Sequence, residues 1–346
     1  MSSRGAEDGV WQDREVRFDS LPGQLRCRKG EVTIDSINSV EDTKGNNGEK
    51  GSLVVTNLRV LWIAHKLKRV NLSIGFGTMS NISIRKAKSR LRGNTQALCI
   101  TSKFQRCRFE FVFTSLVRNS PRLFTTVQAV LRAYETSTPY RDLKLRGSII
   151  KDGQLITLPL EEIYSKIEGV WNLSSDQGNL GCFFLSNIRL VWHANFAQNF
   201  NVSIPYMQMK TIRIRDSKFG PALVVETSKN SGGYILGFRL DPKEQLERVR
   251  QELSSLHEVH AANPILGVDY REEHTAPAMQ LRTVSVTEDD VDVISTTEEE
   301  GLDTFAAYFA EPNKAYDREV VFDADLGLAV ESLPSGASTQ SLWAMI

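Results

Sequence analysis

The chain has 346 residues, of which 41% are hydrophobic and 24% are charged. This is the composition of a soluble globular protein, with room for two domains of ordinary size and a tail. Residues 1–17 carry seven charged side chains and no apolar stretch, and no apolar run nears the roughly 20 residues that span a bilayer, so neither a targeting signal nor a transmembrane helix is expected.

Charge is distributed unevenly, although the formal net charge is +0. Residues 1–140 contain 23 Lys and Arg against 12 Asp and Glu, residues 141–262 contain 15 against 13, and residues 263–346 contain 4 against 17. The three parts therefore have net charges of +11, +2 and −13. A basic head followed by an acidic tail predicts that the head attracts anionic surfaces and that the tail competes with them.

The first part of the chain has the apolar pattern of short β-strands, followed by one helix. Turn residues, such as the Gly and Asn run at 45–48, separate the predicted strands, which are 32–37, 53–56, 60–64, 70–74, 82–86, 97–101 and 108–113. Ser120 is the predicted N-cap of the helix, and Pro121 is its first residue. The apolar residues that recur at helical spacing are Leu123, Val127, Val130, Leu131 and Tyr134.

The same plan occurs a second time. Residues 51–88 align without a gap with residues 181–218, a shift of 130 positions, and 13 of these 38 positions are identical. Trp62 and Trp192 are one such pair, and we predict that both lie in a core. The second copy ends on a helix that we predict to be opened by Asp241 and Pro242. Two copies of this size indicate two complete domains and not solenoid repeats.

Seven strands closed by one amphipathic helix are the plan of a pleckstrin-homology-like barrel. We therefore predict a mainly β chain with two such barrels, each with a C-terminal capping helix, in residues 1–140 and 141–262. An eight-stranded up-and-down barrel is disfavoured because it would not need the same terminal helix twice. Residues 263–346 are predicted to form an acidic linker and docking tail, partly disordered because residues 272–300 have few large apolar side chains. Apolar residues expected to dock on the chain's own barrels or on a partner are Phe305, Tyr308, Phe309, Leu342 and Trp343.

No combination of residues indicates catalysis, a metal site or a cofactor. The four cysteines lack C-x-x-C spacing and fit reduced thiols in a cytosolic protein. His257 and His260 lie one helical turn apart without an accompanying carboxylate motif, so we interpret them as exposed helix-end histidines. The sequence therefore predicts a binding protein that is not an enzyme.

The strongest functional signal is a group of cations in the first copy. Five of the eight residues 85–92 are Lys or Arg, and an earlier hairpin carries three more. Several guanidinium and ammonium groups on one rim of a barrel suit the multiple phosphates of a phosphoinositide head group at a membrane. The predicted lipid-binding residues are Lys66, Lys68, Arg69, Arg85, Lys86, Lys88, Arg90 and Arg92, with Arg213, Arg215 and Lys218 in the second copy.

The alternative interpretation of these cations is a solvated basic face. In the second copy, Asp216 interrupts the basic run and the hairpin at 196–199 is neutral, so weaker anion binding is expected there. Nucleic acid is a poorer candidate partner, because the sequence offers no recognition helix, zinc finger or platform of surface aromatic residues.

Several long blocks carry a family resemblance. The blocks are Thr56-Asn57-Leu58-Arg59, Ala307-Tyr308-Phe309 and residues 41–48, 120–124, 132–137, 169–181, 213–220 and 231–234. They resemble blocks of the Bardet-Biedl syndrome protein five family, with similarity over about residues 11–343. The resemblance implies two pleckstrin-homology-like domains in a subunit of the BBSome, the coat-like complex that moves membrane proteins into and out of cilia. It also implies binding to phosphoinositides and to other BBSome subunits, and a location in the cytoplasm, cilium and basal body and, peripherally, at the ciliary membrane.

Two functions remain open at this point. One is an adaptor whose barrels bind inositol-lipid head groups, and the other is a purely structural subunit whose barrels bind proteins and not lipid. The charge of the rim favours lipid for the first copy and a protein surface for the second. The fold alone does not decide between them.

Overall fold

The computed structural model describes residues 13–174, 178–269 and 308, together with two short strands at 320–323 and 328–331. The chain divides into two compact units between Arg132 and Ala133, and Tyr308 belongs to the first of them. Within these described residues, no helix is long and apolar enough to cross a membrane.

The first domain is built from eight antiparallel strands and one helix. The strands are β1 (Val16–Phe18), β2 (Thr33–Asp42), β3 (Lys50–Thr56), β4 (Arg59–Ala64), β5 (Asn71–Gly75), β6 (Met79–Ser89), β7 (Gly93–Phe104) and β8 (Cys107–Ser115), and the helix is α1 (Arg122–Thr136). The strands form one sheet in the order β1-β5-β4-β3-β2-β8-β7-β6. Single 3-10 turns lie at Asn46–Gly48 and Phe76–Thr78.

The seven strands and the helix predicted for this domain are confirmed. β2, β3, β6 and β7 extend well beyond their predicted ends, and α1 begins at Arg122, where the carbonyl of Pro121 accepts hydrogen bonds from two following N–H groups. β1 was not predicted, because three residues are too short to show a period. It is held by pairing with β5 and by burial of Val16 and Phe18.

The core of the first domain follows the strand period. In β8, Phe109, Phe111 and Phe113 are fully buried at alternate positions. Trp62 is also fully buried, as predicted, and its Nε1–H donates to the carbonyl of Val40 at 3.1 Å. A Cβ added to Gly51 would lie only 2.7 Å from the ring of Trp62, so glycine on β3 allows the indole to close over the strand.

The second domain repeats this arrangement. Its elements are α2 (Thr138–Arg141), β9 (Lys144–Leu145), β10 (Ile150–Lys151), β11 (Gln154–Leu155), β12 (Ile163–Asn172), β13 (Asn179–Ser186), β14 (Arg189–Ala194), β15 (Asn201–Pro205), β16 (Met209–Ser217), β17 (Gly220–Thr227), β18 (Ile235–Leu240) and α3 (Gln245–Ala262), with 3-10 turns at Tyr206–Gln208 and Lys229–Ser231. Its main sheet has the order β16-β17-β18-β12-β13-β14-β15-β9, and β10 and β11 form a separate hairpin. Further along the chain, β19 (Val320–Asp323) and β20 (Leu328–Glu331) pair as an antiparallel hairpin.

The core of the second domain is closed by α3. Leu246, Val249 and Leu253 of this helix are buried in the same cluster as Trp192, whose Nε1–H donates to the carbonyl of Val170 at 3.0 Å. The helix begins at Gln245, four residues after Asp241, so the predicted start is too early.

A buried ion pair stabilises the equivalent turn of each domain. Arg59 Nε lies 2.8 Å from Glu31 Oε1 in the first domain, and Arg189 Nε lies 2.8 Å from Glu161 Oε1 in the second. The four side chains are at most 1% exposed. Both carboxylates also accept a hydrogen bond from the hydroxyl group at the end of the preceding strand, at 2.8 Å in each case. Such a pair is stabilising only when both partners are present and further hydrogen bonds satisfy them, as they do here.

Candidate functional site

The hairpin between β4 and β5 presents cations to solvent. The Nδ2 group of Asn71 donates to the carbonyl oxygens of Lys68 and Arg69, at 3.2 and 3.1 Å. The N–H of His65 donates to the carbonyl of Lys50 at 3.0 Å and so fixes the hairpin beside the start of β3. These bonds use only the backbone of the hairpin, and its three cationic side chains are exposed, namely Lys66, Lys68 and Arg69.

The basic run lies at the end of β6 and in the tight turn that leads to β7. The hydroxyl of Ser89 and the N–H of Arg90 both donate to the buried carboxylate of Glu41. This ties the turn to the end of β2, so that a Cβ added to Gly48 would lie 3.0 Å from Arg90 Cδ. The basic turn therefore lies against the β2–β3 loop at Gly48, and the β4–β5 hairpin is bonded to Lys50, the first residue after that loop.

Two of the predicted cations are bound by other groups of the first domain. Arg85 pairs with Glu110 at 3.3 Å, and the same carboxylate binds Lys44 Nζ at 2.6 Å. Burial alone would raise the pKa of Glu110, but the hydrogen bonds from Lys44 and Cys99 and the charges of Lys44 and Arg85 together lower it, so this carboxylate is ionised at neutral pH. Arg92 donates to the carbonyl of Ser115 at 2.6 Å. Arg85 and Arg92 therefore hold the strand and the turn in place.

The remaining cations are better placed to bind an anion. Lys86 and Lys88 alternate along β6 and so point to the same face of the strand. Arg90 is exposed in the turn that follows. Of the cations predicted to bind lipid in this domain, the exposed ones whose side chains have no bonded partner among the described residues are Lys66, Lys68, Arg69, Lys86 and Lys88.

The predicted cations of the second domain form a sparser set. Arg213 is exposed, Arg215 pairs with Glu226 at 3.1 Å, and the Nζ atom of Lys218 lies 5.0 Å from the ring centroid of Phe219. Because this set has fewer cations and one of the three is paired to a carboxylate, weaker attraction of anions by this surface stays a prediction.

Two positions show the difference between the domains directly. Asp216, exposed on β16, stands 130 residues after Lys86, and Phe196, which is 98% exposed, stands 130 residues after Lys66. The second domain thus has an acidic and an aromatic residue where the first has two lysines.

Of the residues predicted for docking, Tyr308 lies within the described part of the chain. Its ring is fully buried against the first domain, with its centroid 5.4 Å from that of Phe18 and 5.1 Å from that of Phe111. The other four predicted docking residues, Phe305, Phe309, Leu342 and Trp343, lie outside the described residues.

The interpretation of the two helix-end histidines as exposed is wrong. His257 is half-buried, its Nε2–H donates to the carbonyl of Met209 at 3.2 Å, and burial lowers its pKa. His260 is half-buried too, with its ring stacked 5.8 Å from Tyr164 and from Tyr206. Both rings pack α3 against the rest of the second domain. The described residues contain no group of three or more side chains able to hold a metal ion.

One cysteine and one histidine lie together in the second domain. Cys182 Sγ is 2.9 Å from His193 Nε2, and both residues are buried. Burial raises the pKa of the Cys182 thiol, which therefore stays protonated at neutral pH. Because the thiolate is the reactive form, this pair belongs to the core packing of β13 and β14.

Two bent antiparallel sheets, each followed by a helix, define a protein with tandem pleckstrin-homology-like domains. Family models match both parts: the Bardet-Biedl syndrome 5 protein N-terminal PH-like domain over residues 31–136, and the second PH-like domain of that protein over residues 144–270. The chain belongs to the Bardet-Biedl syndrome 5 protein family. The predicted fold class and the family resemblance are both confirmed.

Curated relatives match over almost the whole chain. The BBSome complex member BBS5 of Danio rerio is 55% identical over 336 residues, which cover 97% of this chain and 97% of the relative. The protein of the same name from Homo sapiens is also 55% identical, over 97% of this chain and 98% of the relative. The BBSome complex member bbs-5 of Caenorhabditis elegans is 41% identical over 360 residues, covering 99% of this chain and 98% of the relative.

Proposed function

We propose that the chain is a non-catalytic subunit of the BBSome and that its first domain binds membranes containing phosphoinositides. Its relatives are named as BBSome complex members and match it from end to end, which supports the same assembly for this chain. As a subunit of that complex, the chain is proposed to act in the cytoplasm, the cilium and the basal body, and peripherally at the ciliary membrane. Its role there is the assembly of cilia and the transport of membrane cargo.

The observation that carries the lipid proposal is the group of exposed cations beside the β2–β3 loop. Lys66, Lys68 and Arg69 stand on one hairpin, and Lys86 and Lys88 on one face of β6. Each Lys or Arg near an anionic membrane contributes about 1 kcal/mol, so five such residues supply a useful affinity even after screening by salt. Two separate elements also let the charges contact several phosphates of one head group.

A second candidate function, binding of a partner subunit, is favoured by the second domain. The first half of β12 pairs with β13 on one side, while its pairing with β18 begins only at Val170. Between this half-strand and α3 lies a cavity of about 620 Å³, whose lining includes Tyr164, Ile167 and Val249. The helix side of this cavity also carries Gln245, Arg248 and Glu252. An unpaired strand edge beside it suits an extended segment of another protein that carries polar side chains, added as a further strand. We propose that a BBSome subunit supplies that segment.

Flotation with vesicles tests the lipid proposal. The whole chain is mixed with vesicles of phosphatidylcholine, of phosphatidylcholine with phosphatidylserine, or of phosphatidylcholine with a phosphoinositide at the same total charge. The expected order of binding is phosphoinositide first, then phosphatidylserine, with little binding to phosphatidylcholine. Equal binding to both kinds of anionic vesicle would contradict recognition of phosphoinositides and would indicate a basic face that binds any anionic membrane.

Two matched triple variants each reverse three positive charges, one variant in the first domain and the other in the second. Lys66→Glu, Lys68→Glu and Arg69→Glu together should weaken binding at least tenfold, because three contributions of about 1 kcal/mol are lost. The control replaces three exposed lysines of the second domain with Glu, namely Lys210, Lys229 and Lys243. Equal losses in the two triple variants would contradict a site on the first domain.

Assembly is tested separately. The tagged chain is expressed in ciliated cells of its source organism and purified under mild conditions, and the other BBSome subunits are expected to co-purify in stoichiometric amounts. Recovery of the chain without them would contradict BBSome membership while leaving the lipid measurement intact.

A further inference from the structure

Tyr308 occupies a pocket of the first domain that contacts both its ring and its hydroxyl. Phe18 on β1 and Phe111 on β8 pack on the ring, with centroid distances of 5.4 and 5.1 Å. The hydroxyl donates to the carboxylate of Asp42 and accepts from the Nδ2 group of Asn46 at 2.8 Å. Tyr308 is fully buried, so neither its ring nor its hydroxyl is open to solvent.

Gly45 shows that the β2–β3 loop is shaped for this ring. Its backbone has φ −97° and ψ −167°, a conformation that any residue adopts. The loop therefore does not need glycine for its own geometry. A Cβ at this position would lie 2.0 Å from both Cζ and the hydroxyl oxygen of Tyr308, a distance that no real contact allows. Because Gly45 has no side chain, the phenol ring of Tyr308 fits against its backbone.

Asp42 gives the pocket its chemical selectivity. The carboxyl group is fully buried, and it accepts hydrogen bonds from the N–H of Gly45 at 3.3 Å and from Asn46 Nδ2 at 2.8 Å. The phenol of Tyr308 supplies a further donor to the same group. A neutral hydroxyl group that donates a hydrogen bond is therefore stabilised beside this carboxyl group. A phosphate on the same oxygen would bring two negative charges against a buried acid and has no room beside Gly45.

The second domain differs at three of the positions that form this pocket. Asn172 stands where the first domain has Asp42, and Leu145, which is 44% exposed, stands at the β9 position equivalent to Phe18. Leu236 on β18 is equivalent to Phe111 on β8. Asp42 pairs with Phe113 and Asn172 pairs with Phe238, and Phe111 and Leu236 each lie two residues before that partner. The pocket is therefore not a by-product of the common fold.

We propose that the first domain contains a binding site for an unphosphorylated tyrosine side chain and that its ligand is Tyr308 of the chain's own tail. The site fastens one point of the acidic segment 263–346 to the basic domain. It does not depend on the lipid proposal, because every contact that defines it lies within the protein.

The first experiment observes Tyr308 in the whole chain. The protein is labelled with 3-fluorotyrosine, and the fluorine resonance of Tyr308 is assigned by its loss in Tyr308→Phe. In the unmodified sequence this resonance should be protected from a soluble paramagnetic agent, and in Gly45→Ala it should become fully accessible. The control is Gly23→Ala, because a Cβ at Gly23 meets nothing within 4 Å, and it should leave the resonance unchanged. An intact indole N–H resonance of Trp62 reports that the domain is folded in each variant.

The second experiment supplies the ligand in trans. The whole chain with Tyr308→Ala is titrated with a synthetic peptide of residues 300–316, in forms that carry Tyr, Phe, Ala or phosphotyrosine at position 308. The Tyr peptide should bind, and the Phe peptide should bind roughly 10- to 100-fold more weakly because it lacks the bond to a charged group. The Ala and phosphotyrosine peptides should not bind detectably, and Gly45→Ala in the same chain should abolish binding of the Tyr peptide.

Three results would overturn the proposal. They are a Tyr308 resonance that is accessible in the unmodified sequence, a resonance that stays protected in folded Gly45→Ala, and a phosphotyrosine or Ala peptide that binds as well as the Tyr peptide.

Discussion

The two domains share several buried polar contacts and differ in their surface charge. Arg59 and Arg189 each lie 2.8 Å from a buried glutamate, and the two indole N–H groups bond equivalent carbonyls at 3.1 and 3.0 Å. By contrast, the β4–β5 hairpin has three cations and its counterpart has none. Packing therefore explains what the copies share, and the function of each copy has to be sought where they differ.

The cleft between helix and sheet shows the same contrast. In the first domain, Arg122 at the start of α1 forms an ion pair with Asp35 on β2. In the second, Glu252 of α3 accepts a hydrogen bond at 2.7 Å from Ser165, which stands 130 residues after Asp35. An ion pair closes this cleft in the first domain, and a hydrogen bond from a neutral donor bridges it in the second, where the cavity of about 620 Å³ lies.

The largest expected effect comes from breaking what the domains share. Arg59→Ala and Arg189→Ala should each destabilise their own domain by about 3–5 kcal/mol, because each leaves a buried glutamate without its partner. Hydrogen exchange followed by mass spectrometry reports the free energy of unfolding of each domain separately. Similar losses in both domains would support a common scaffold. A loss in one domain only would show that the two pairs play different parts.

The next largest effect is a pH dependence of stability that we expect in the first domain, where Asp42 is buried. Burial raises the pKa of Asp42 from 3.8 to about 6, although hydrogen bonds from Tyr308 and Asn46 act in the opposite direction. Between these pH values the folded domain binds this proton more tightly than the unfolded chain does. The stability that Asp42 contributes is therefore greatest below pH 3.8 and is lost as the pH rises through about 6.

The shift of about two units corresponds to roughly 3 kcal/mol. Asp42→Asn, which installs the residue that the second domain has at position 172, should remove this part of the pH dependence. The measurement is the unfolding free energy of the first domain at several pH values between 4 and 7. Identical slopes for the two sequences would show that Asp42 keeps its ordinary pKa.

A smaller effect tests the indole hydrogen bonds. Trp62→Phe and Trp192→Phe keep an aromatic ring in the core but leave the carbonyl of Val40 or Val170 without its donor. Each should destabilise its own domain by roughly 1–3 kcal/mol. The midpoint of urea unfolding for each domain gives the value, and no change in either would mean that a rearranged donor or water replaces the indole.

Much of the fold was predictable because strands leave a local signal. The alternation of Phe109, Phe111 and Phe113, for example, identifies β8 directly. The end of β2 was missed because Ser39 has φ 59° at a bulge, and a positive φ at a serine leaves no mark in the apolar pattern. The buried ion pairs left a signal in the sequence repeat, because Glu31 and Glu161 are 130 residues apart, as Arg59 and Arg189 are. The two glutamates lie outside the block that aligns without a gap, so this signal was missed.

The candidate site was less predictable, because its geometry depends on contacts distant in sequence. The basic residues were visible as a run, yet the pairing of Arg85 with Glu110 follows from the register of β6, β7 and β8. The pocket of Tyr308 joins residues from both ends of the chain, and neither Asp42 nor Gly45 carries a pattern that points to a tyrosine.

The most direct test of a membrane-binding surface on the first domain exchanges residues of the basic surface with their counterparts in the second domain, in the whole chain. One variant gives the first domain the residues of the second, with Lys68→Gln, Arg69→Asn and Lys86→Asp. The other gives the second domain those of the first, with Gln198→Lys, Asn199→Arg and Asp216→Lys.

We predict that, in flotation with phosphoinositide vesicles, the first variant loses at least tenfold in affinity and the second gains affinity, by up to about 1 kcal/mol for each added cation. Both changes should shrink as salt rises, since exposed charges are screened over about 8 Å at physiological ionic strength. Unchanged affinity in the first variant, with or without a gain in the second, would contradict a membrane-binding surface on the first domain.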